Sequence, residues 1–376
     1  MLRFIHSSDW HLTAGKFFDE TMACLSFIHD FAADEKITTR LIPGDFTHSD
    51  LPHRVQQPVE RLGVANVLRP GDELTYGNHD IAGDLELLGW KPGVRVCREA
   101  KLVQRDGFDL LVVPYPSKRH WQAARAAGSI EGGRQELGAT LGQALRGLAQ
   151  QRRPDVPLIG LAHINIAGSK VGGGEVLIGQ EIELSPADLD EIGCDYWALG
   201  HIHEPQQVAE RAFYPSTPQP HSFGDSNRNG FNLVEIEGPG KPPRVTFIET
   251  PAVKLVTMHT GWAPEETGGW VDFDPSGHGE DPYADIGPRC IVRVVAHVDE
   301  ADRETADWAG LEKLYKGLNP ANRIERRIIP TTRVRSEAIR AASSVPEKLA
   351  AFWDTQTPSP PADERERAVE LLEVIA

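Results

Sequence analysis

The chain has 376 residues and a formal net charge of −16. At that length more than one hydrophobic core is expected, and the apolar and charged fractions are those of an ordinary globular protein. General nucleic-acid coating needs a surplus of Lys and Arg. The acidity therefore excludes binding by bulk charge, and leaves nucleic acid as a partner only where bound cations and a local basic patch supply the attraction.

In chain order, Leu2-Arg3-Phe4-Ile5-His6 reads as a strand leading into Asp9, without a signal-peptide core. Residues 21–33 read as a helix. Arg40-Leu41-Ile42 leads into Gly44-Asp45, and Leu110-Leu111-Val112-Val113 ends at Pro114. A second helical stretch covers 139–150. Leu158-Ile159-Gly160-Leu161 leads into His163, and Tyr196-Trp197-Ala198-Leu199 into Gly200-His201. Short apolar runs of this kind are buried strands, and their alternation with helices predicts a layered α/β core whose loops after the strand ends collect the chemistry. The run before Gly77, Leu68-Arg69-Pro70-Gly71-Asp72-Glu73-Leu74-Thr75-Tyr76, is polar and broken by proline. It predicts a weak strand there, or one displaced to 64–68.

The composition shifts near Gly238-Pro239-Gly240. Beyond it, Cys290-Ile291-Val292-Arg293-Val294-Val295 reads as a strand, 304–318 as a helix and 323–329 as another strand, a small β-α-β module. Ser344 with Glu347 forms a capping box, followed by Val345, Leu349, Phe352 and Trp353 on one helical face. Thr357-Pro358-Ser359-Pro360-Pro361 breaks the chain before a second apolar stripe, Ala368, Leu371, Leu372 and Ile375. The two helices read equally as packed on their own protein or as a hairpin offered to a partner. No run of about 18 apolar residues is present, so no membrane span is expected. Cys24, Cys97, Cys194 and Cys290 are far apart with no Cys-x-x-Cys pair, which fits a reducing cytoplasm and argues against a disulfide framework.

Five clusters carry candidate chemistry: Asp9-Trp10-His11, Gly44-Asp45, Gly77-Asn78-His79-Asp80, Ala162-His163 and Gly200-His201-Ile202-His203. Singly, each has a plain reading: His163 as a packed or surface histidine, Gly44-Asp45 and Gly77-Asn78 as turns. Together they place Asp, Asn and His after apolar runs in one order. A spacing of two, as in Asp9/His11 and His201/His203, puts both side chains on one side of an extended chain. Oxygen and imidazole donors without a thiolate suit Mn, Fe, Zn or Mg. Asp9, His11, Asp45, Asn78, His163, His201 and His203 are too many for one ion and enough for two that share a carboxylate.

In its order of clusters, Asp-x-His, Gly-Asp, Gly-Asn-His-Asp, His and Gly-His-x-His, the sequence resembles the calcineurin-like metallophosphoesterases, and more narrowly the SbcD-type DNA-repair nuclease subunits. The likeness is dense over residues 2–237, including His6-Ser7-Ser8-Asp9-Trp10-His11-Leu12, Gly44-Asp45-Phe46-Thr47-His48-Ser49, 195–206, and Tyr214-Pro215-Ser216-Thr217-Pro218-Gln219. The resemblance implies a four-layer α-β-β-α sandwich over 1–250, a small α+β capping domain over 251–332, and a helical tail over 333–376. It implies that Asp9, His11 and His203 hold one ion, that Asn78, His163 and His201 hold the other, and that Asp45 bridges them. His79 would face the scissile phosphate and protonate the leaving oxygen, with Asp80 orienting it. His48 matches a position that assists exonuclease action in some members, and reads otherwise as a solvent-facing loop histidine. Two divalent ions, Mn2+ for this branch, would be the cofactors. DNA and an SbcC-type coiled-coil ATPase docked on the tail would be the partners, with a homodimer through the catalytic domain and a cytoplasmic location. Lys16, Arg54, Lys118, Arg119 and Lys170 are the basic residues nearest the motifs for phosphate contacts, and read singly as solvated charge. The Arg that protein phosphatases carry after Gly-Asp-x-x-Asp is absent, which disfavours phosphoprotein substrates. Two other functions fit less of the sequence: a stand-alone enzyme for small phosphodiesters such as cyclic nucleotides, which the acidity favours, and an inactive scaffold, which the full ligand set opposes.

Overall fold

The structure, a computed structural model, describes residues 1–13, 17–47, 58–80, 89, 91–116, 134–171, 182–225, 228–264, 268–272, 289–330, 339, 341–355 and 360–375. They form two compact units, Met1–Thr257 with Ala284–Arg293, and Met258–Tyr283 with Val294–Ala376. The strands begin with β1 (Leu2–His6), β2 (Arg40–Ile42), β3 (Asp72–Thr75), β4 (Arg95–Cys97), β5 (Lys101–Arg105) and β6 (Phe108–Val113). Next come β7 (Leu158–His163), β8 (Asn165–Ile166), β9 (Glu183–Leu184), β10 (Tyr196–Gly200), β11 (Gln206–Ala209) and β12 (Ala212–Tyr214). The last six are β13 (Gly230–Ile236), β14 (Arg244–Glu249), β15 (Lys254–Ala263), β16 (Gly269–Asp272), β17 (Cys290–Asp299) and β18 (Arg323–Ile329). The main helices are α1 (Phe18–Asp34), α2 (Pro58–Val67), α3 (Arg134–Ala149), α4 (Pro186–Ile192), α5 (Trp308–Leu318), α6 (Val345–Trp353) and α7 (Ala362–Ile375).

The first unit holds two six-stranded sheets, ordered β14-β13-β1-β2-β3-β4 and β11-β12-β10-β7-β6-β5. Strands β1 to β4 run parallel, as do β6, β7, β10 and β12. Side chains alternate across each strand, and the alternation assigns the layers. Phe4, Leu41, Leu110, Val112, Ile159, Leu161, Tyr196 and Ala198 meet in one core between the sheets. Their neighbours Ile5 and Ile42 face a second core with Leu25, Ile28 and Ala32 of α1. Leu111, Val113, Leu158, Ala162, Trp197 and Leu199 face a third, with Leu141 and Leu145 of α3 and Leu189 of α4. Three cores between four layers make the α-β-β-α sandwich that the resemblance implies. It also explains why these strands read as unbroken apolar runs: both faces are covered.

The segment before Gly77 corrects the sequence reading. Val64 and Val67 lie in α2, and the strand is β3, buried along its whole length. Its charges are matched by basic residues from elsewhere in the chain. Asp72 receives Arg40, Nε to Oδ1 at 2.7 Å, with both residues almost fully buried. Glu73 receives Arg95 at 2.9 Å and also Arg105. Paired and hydrogen-bonded, buried charges are tolerated in a central strand.

A four-stranded sheet, β16-β15-β17-β18, has β16, β18 and the later parts of β15 and β17 in the second unit, with α5. The expected helix over 304–318 begins later, at Trp308, where the Asp307 side chain accepts from the Gly310 amide. The capping box of Ser344 and Glu347 is present at the start of α6. Its expected apolar face stays largely open, with Val345 61% and Phe352 44% exposed. Among the described residues no helix is long and apolar enough to cross a membrane, and no disulfide forms.

Candidate metal centre

The carboxyl ends of β1, β2, β3, β7 and β10 carry all seven expected ligands. Asp9 and His11 follow β1, Asp45 follows β2, Asn78 follows β3, His163 ends β7, and His201 and His203 follow β10. Backbone bonds tie these loops together: Asp9 N–H donates to Gly44 O at 3.3 Å and His11 N–H to Asp45 O at 2.9 Å. Four of the seven, Asp9, His11, Asp45 and His201, sit at positive φ of 52°, 42°, 54° and 102°. Such backbone costs of order 1–3 kcal/mol per residue and persists only where surrounding bonds over-determine it. Those bonds are visible. The Asp9 carboxylate accepts the His201 amide at 2.9 Å and 3.1 Å. Asp45 Oδ1 accepts the His79 amide at 2.9 Å.

The donor atoms gather into one cluster. Asp45 Oδ2 stands between two imidazoles, 3.5 Å from His11 Nε2 and 3.4 Å from His163 Nε2. On one side His11 Nε2 and His203 Nε2 are 3.2 Å apart, and Asp9, His11 and His203 each bring a ligand atom within 4.8 Å of the others. On the other, Asn78 Oδ1 is 2.9 Å from His163 Nε2 and 3.0 Å from His201 Nδ1. The His79 ring packs edge-on against His11 at 4.8 Å between centroids.

The electrostatics favour cations. His163 is fully buried, and burial, with His201 nearby, holds its imidazole well below its ordinary pKa. Its Nδ1 contacts Pro43 O at 2.6 Å. That carbonyl accepts the Nδ1–H and leaves the Nε2 lone pair directed at the cluster, as a histidine ligand requires. Burial also pushes the Asp9 carboxyl above the usual carboxylate range, a cost that a bound cation reverses. The donor set of carboxylate, amide and neutral imidazole fits divalent ions with two subsites sharing Asp45.

One expectation needs correction, and several fall on residues outside the described ones. Asp80 does not orient His79. Its Oδ2 accepts the amides of Asp45 at 2.7 Å and Gly77 at 2.8 Å, and its Oδ1 accepts Phe46 N–H at 3.0 Å. The Gly-Asn-His-Asp turn folds the carboxylate back beneath the loop, where it clamps the β2 and β3 loops together. Burial pushes this carboxyl up to about 6, partly offset by those three amides. His48, Lys16, Arg54, Lys118 and Arg119 lie outside the described residues. Lys170 is described and exposed, its amide bonded to Gln206.

The sequence reading missed two groups at the rim. Tyr115 lies 5.5 Å from the His201 ring and 5.9 Å from that of His163. The turn over 221–225 brings the His221 ring 5.0 Å from His11, and Asp225 Oδ2 3.7 Å from His203 Nδ1. Tyr115 stands two residues after the end of β6, a usable signal, whereas His221 and Asp225 follow no strand end so closely.

The chain is 26% identical over 259 residues to the metallophosphoesterase YhaO of Bacillus subtilis (strain 168), covering 62% of this chain and 57% of that protein, so it spans little more than half of that relative. It is 23% identical over 288 residues to the SbcD component of the nuclease SbcCD of Escherichia coli (strain K12), covering 69% of this chain and 71% of that one. The family model described as calcineurin-like phosphoesterase matches residues 2–205, more than half of the chain, and the protein therefore belongs to the calcineurin-like phosphoesterases.

Proposed function

We propose that the chain is a manganese-dependent DNA nuclease subunit that works with a coiled-coil ATPase of the SbcC kind. The observation that carries the two-metal part is the place of Asp45 Oδ2, 3.5 Å and 3.4 Å from two imidazole nitrogens on opposite flanks of one donor cluster. Asp9, His11 and His203 would hold one ion and Asn78, His163 and His201 the other, with Asp45 offered to both. Two divalent ions there would supply Lewis acidity at the phosphoryl oxygens and a lowered pKa for bound water. The chain's own residues do the rest. His79, beside His11, contacts the scissile phosphate and gives a proton to the leaving oxygen. His163 keeps its Nε2 lone pair inward through the Pro43 carbonyl. Asp80 keeps Asp45 and Asn78 in register by holding both loops.

The nuclease part rests on the likeness to the SbcD component of SbcCD, which runs over 288 residues, further than the match to the catalytic family. In this reading 1–250 is the nuclease domain, 251–332 a DNA-capping domain and 333–376 the tail that docks the ATPase, in a cytoplasmic homodimer. Val345 and Phe352, exposed on α6, are the apolar anchors the tail offers. The net charge of −16 favours a second reading, a stand-alone enzyme for small phosphodiesters. The two separate on labelled blunt, hairpin and single-stranded DNA against bis-p-nitrophenyl phosphate, each with Mn2+. The nuclease reading expects DNA cleavage that His79→Ala abolishes while Mn2+ binding persists. Cleavage of the small diester alone, even with the cognate ATPase added, sinks it. Equal activity in wild type and His79→Ala refutes the role given to His79.

A further inference from the structure

The two nitrogens of the His203 ring face different groups. Nε2 lies 3.2 Å from His11 Nε2, inside the donor cluster. Nδ1 lies 3.7 Å from Asp225 Oδ2, on a carboxylate whose side chain is only 15% exposed. That same Oδ2 accepts the amides of His221 at 2.8 Å and Ser222 at 3.1 Å, and Oδ1 accepts the Ser222 hydroxyl at 2.8 Å. One carboxylate thus closes the turn over 221–225 and meets the outer face of His203. The turn also sets the His221 ring 6.0 Å from that of His203.

We propose that Asp225 is a positioning residue for the ion that Asp9, His11 and His203 would hold: its charge, 3.7 Å from His203 Nδ1 and so an ion-pair neighbour rather than a hydrogen-bond partner, favours the Nδ1–H tautomer and leaves the Nε2 lone pair to the ion. The proposal rests on the reading of those three residues as ligands. A neutral imidazole has one donor and one acceptor nitrogen, and whichever group takes the proton decides which nitrogen can bind metal. His163 has its Nδ1 held instead by a direct hydrogen bond to a neutral carbonyl, Pro43 O at 2.6 Å. The two flanks of the cluster therefore differ: a carboxylate supports a histidine on one and a backbone carbonyl supports a histidine on the other. A carboxylate raises the basicity of the imidazole it supports, and losing such a partner typically weakens metal binding about 10–100-fold. Loss of Asp225 should fall on one ion alone.

The test is calorimetric titration of Mn2+ into the metal-free full chain, beside its metal-free thermal midpoint. The wild type binds two ions. Asp225→Asn weakens one of the two about 10–100-fold, leaves the other unchanged, and keeps the metal-free midpoint of the wild type; Asp225→Ala weakens the same ion and, having lost the acceptors of the turn over 221–225, lowers that midpoint as well. Asp225→Glu restores part of the loss. Ser222→Ala, which keeps the carboxylate, binds both ions as the wild type does. Asn is isosteric and keeps an acceptor for the turn's amides, so it reports on binding even where Ala impairs folding. Two wild-type affinities in Asp225→Asn, with one ion lost in His203→Ala, overturn the role of Asp225 and leave the ligand reading standing. Two wild-type affinities in His203→Ala overturn the ligand reading itself, and this inference with it.

Discussion

A methyl group added at Gly77 tests how tightly the proposed centre is held, because no proposed ligand is replaced. The new carbon would sit 2.0 Å from Asp45 Oδ1, where ordinary contact begins at 3.4 Å, so that oxygen has to retreat by about 1.4 Å. Rotating the side chain does not relieve the clash, since Asp45 Cγ and Asp45 N both lie 2.6 Å from the same carbon. The Asp45 backbone is also fixed by Asp80 at 2.7 Å. The β2 loop must therefore move as a body, carrying Asp45 away from both flanks of the cluster. A misplacement of about 1 Å in a catalytic constellation costs roughly 100-fold in rate, or about 2.7 kcal/mol of transition-state stabilisation, and overpacking costs about 1–3 kcal/mol of stability. Gly77→Ala is expected to lose at least that factor in kcat/KM on bis-p-nitrophenyl phosphate with Mn2+, while remaining folded by circular dichroism. Gly147→Ala is the control. Gly147 lies in α3 with nothing within 4 Å of the added carbon, and it should gain up to about 1 kcal/mol of stability at unchanged rate. Wild-type turnover in Gly77→Ala would show that Asp45 is not held where the chemistry needs it.

Two further outcomes concern stability. Asp72→Ala strands the buried Arg40 guanidinium and should cost about 3–5 kcal/mol in urea denaturation, whereas Asp72→Leu with Arg40→Met recovers most of it; a single-mutant loss below about 1 kcal/mol contradicts the pairing of β3. His6 is buried, with Nδ1 2.8 Å from the Tyr196 hydroxyl and Nε2 3.0 Å from Leu199 O, and burial pushes its imidazole down to about 3. The unfolded chain takes up this proton near pH 6.5 and the folded chain does not. The contribution is therefore present above that pH and lost as pH falls toward 3, at up to about 1.4 kcal/mol per pH unit. His6→Gln should flatten the slope of stability against pH between 6 and 4 by about one proton. Parallel slopes in the two proteins refute the assignment.

The parts of the molecule legible in the sequence are those where one residue type states its own environment. Strands covered on both faces show as apolar runs, which is why β2, β7 and β10 stand where the runs do. The candidate clusters show because Asp, His and Asn recur after such runs in one order, although each taken singly also reads as a turn or a packed side chain. Strand β3 does not show. Its buried Asp72 and Glu73 look like loop residues until Arg40, Arg95 and Arg105 are brought beside them, and that neutralisation is long-range. Asp225 is hidden for the same reason: it meets His203 only through the path of the chain after β12.

Asp80 shows why a motif letter can be right and its expected contact wrong. A carboxylate next to a working histidine suggests an orienting pair, and the pattern cannot separate that from a clamp. The backbone decides. Asp45 sits at φ 54° beside Gly44 at φ 87°, a conformation that leaves the amides of Asp45 and Phe46 turned out of any ladder. Asp80 takes both, with that of Gly77, so the strained β2 loop is satisfied by the loop that brings Asn78 and His79. Asp45 and Asn78, the proposed ligands on the two loops, cannot then shift independently. The non-ligand letters of the motifs, Gly44, Gly77 and Asp80, serve this coupling, and the chemistry of the remaining letters depends on it.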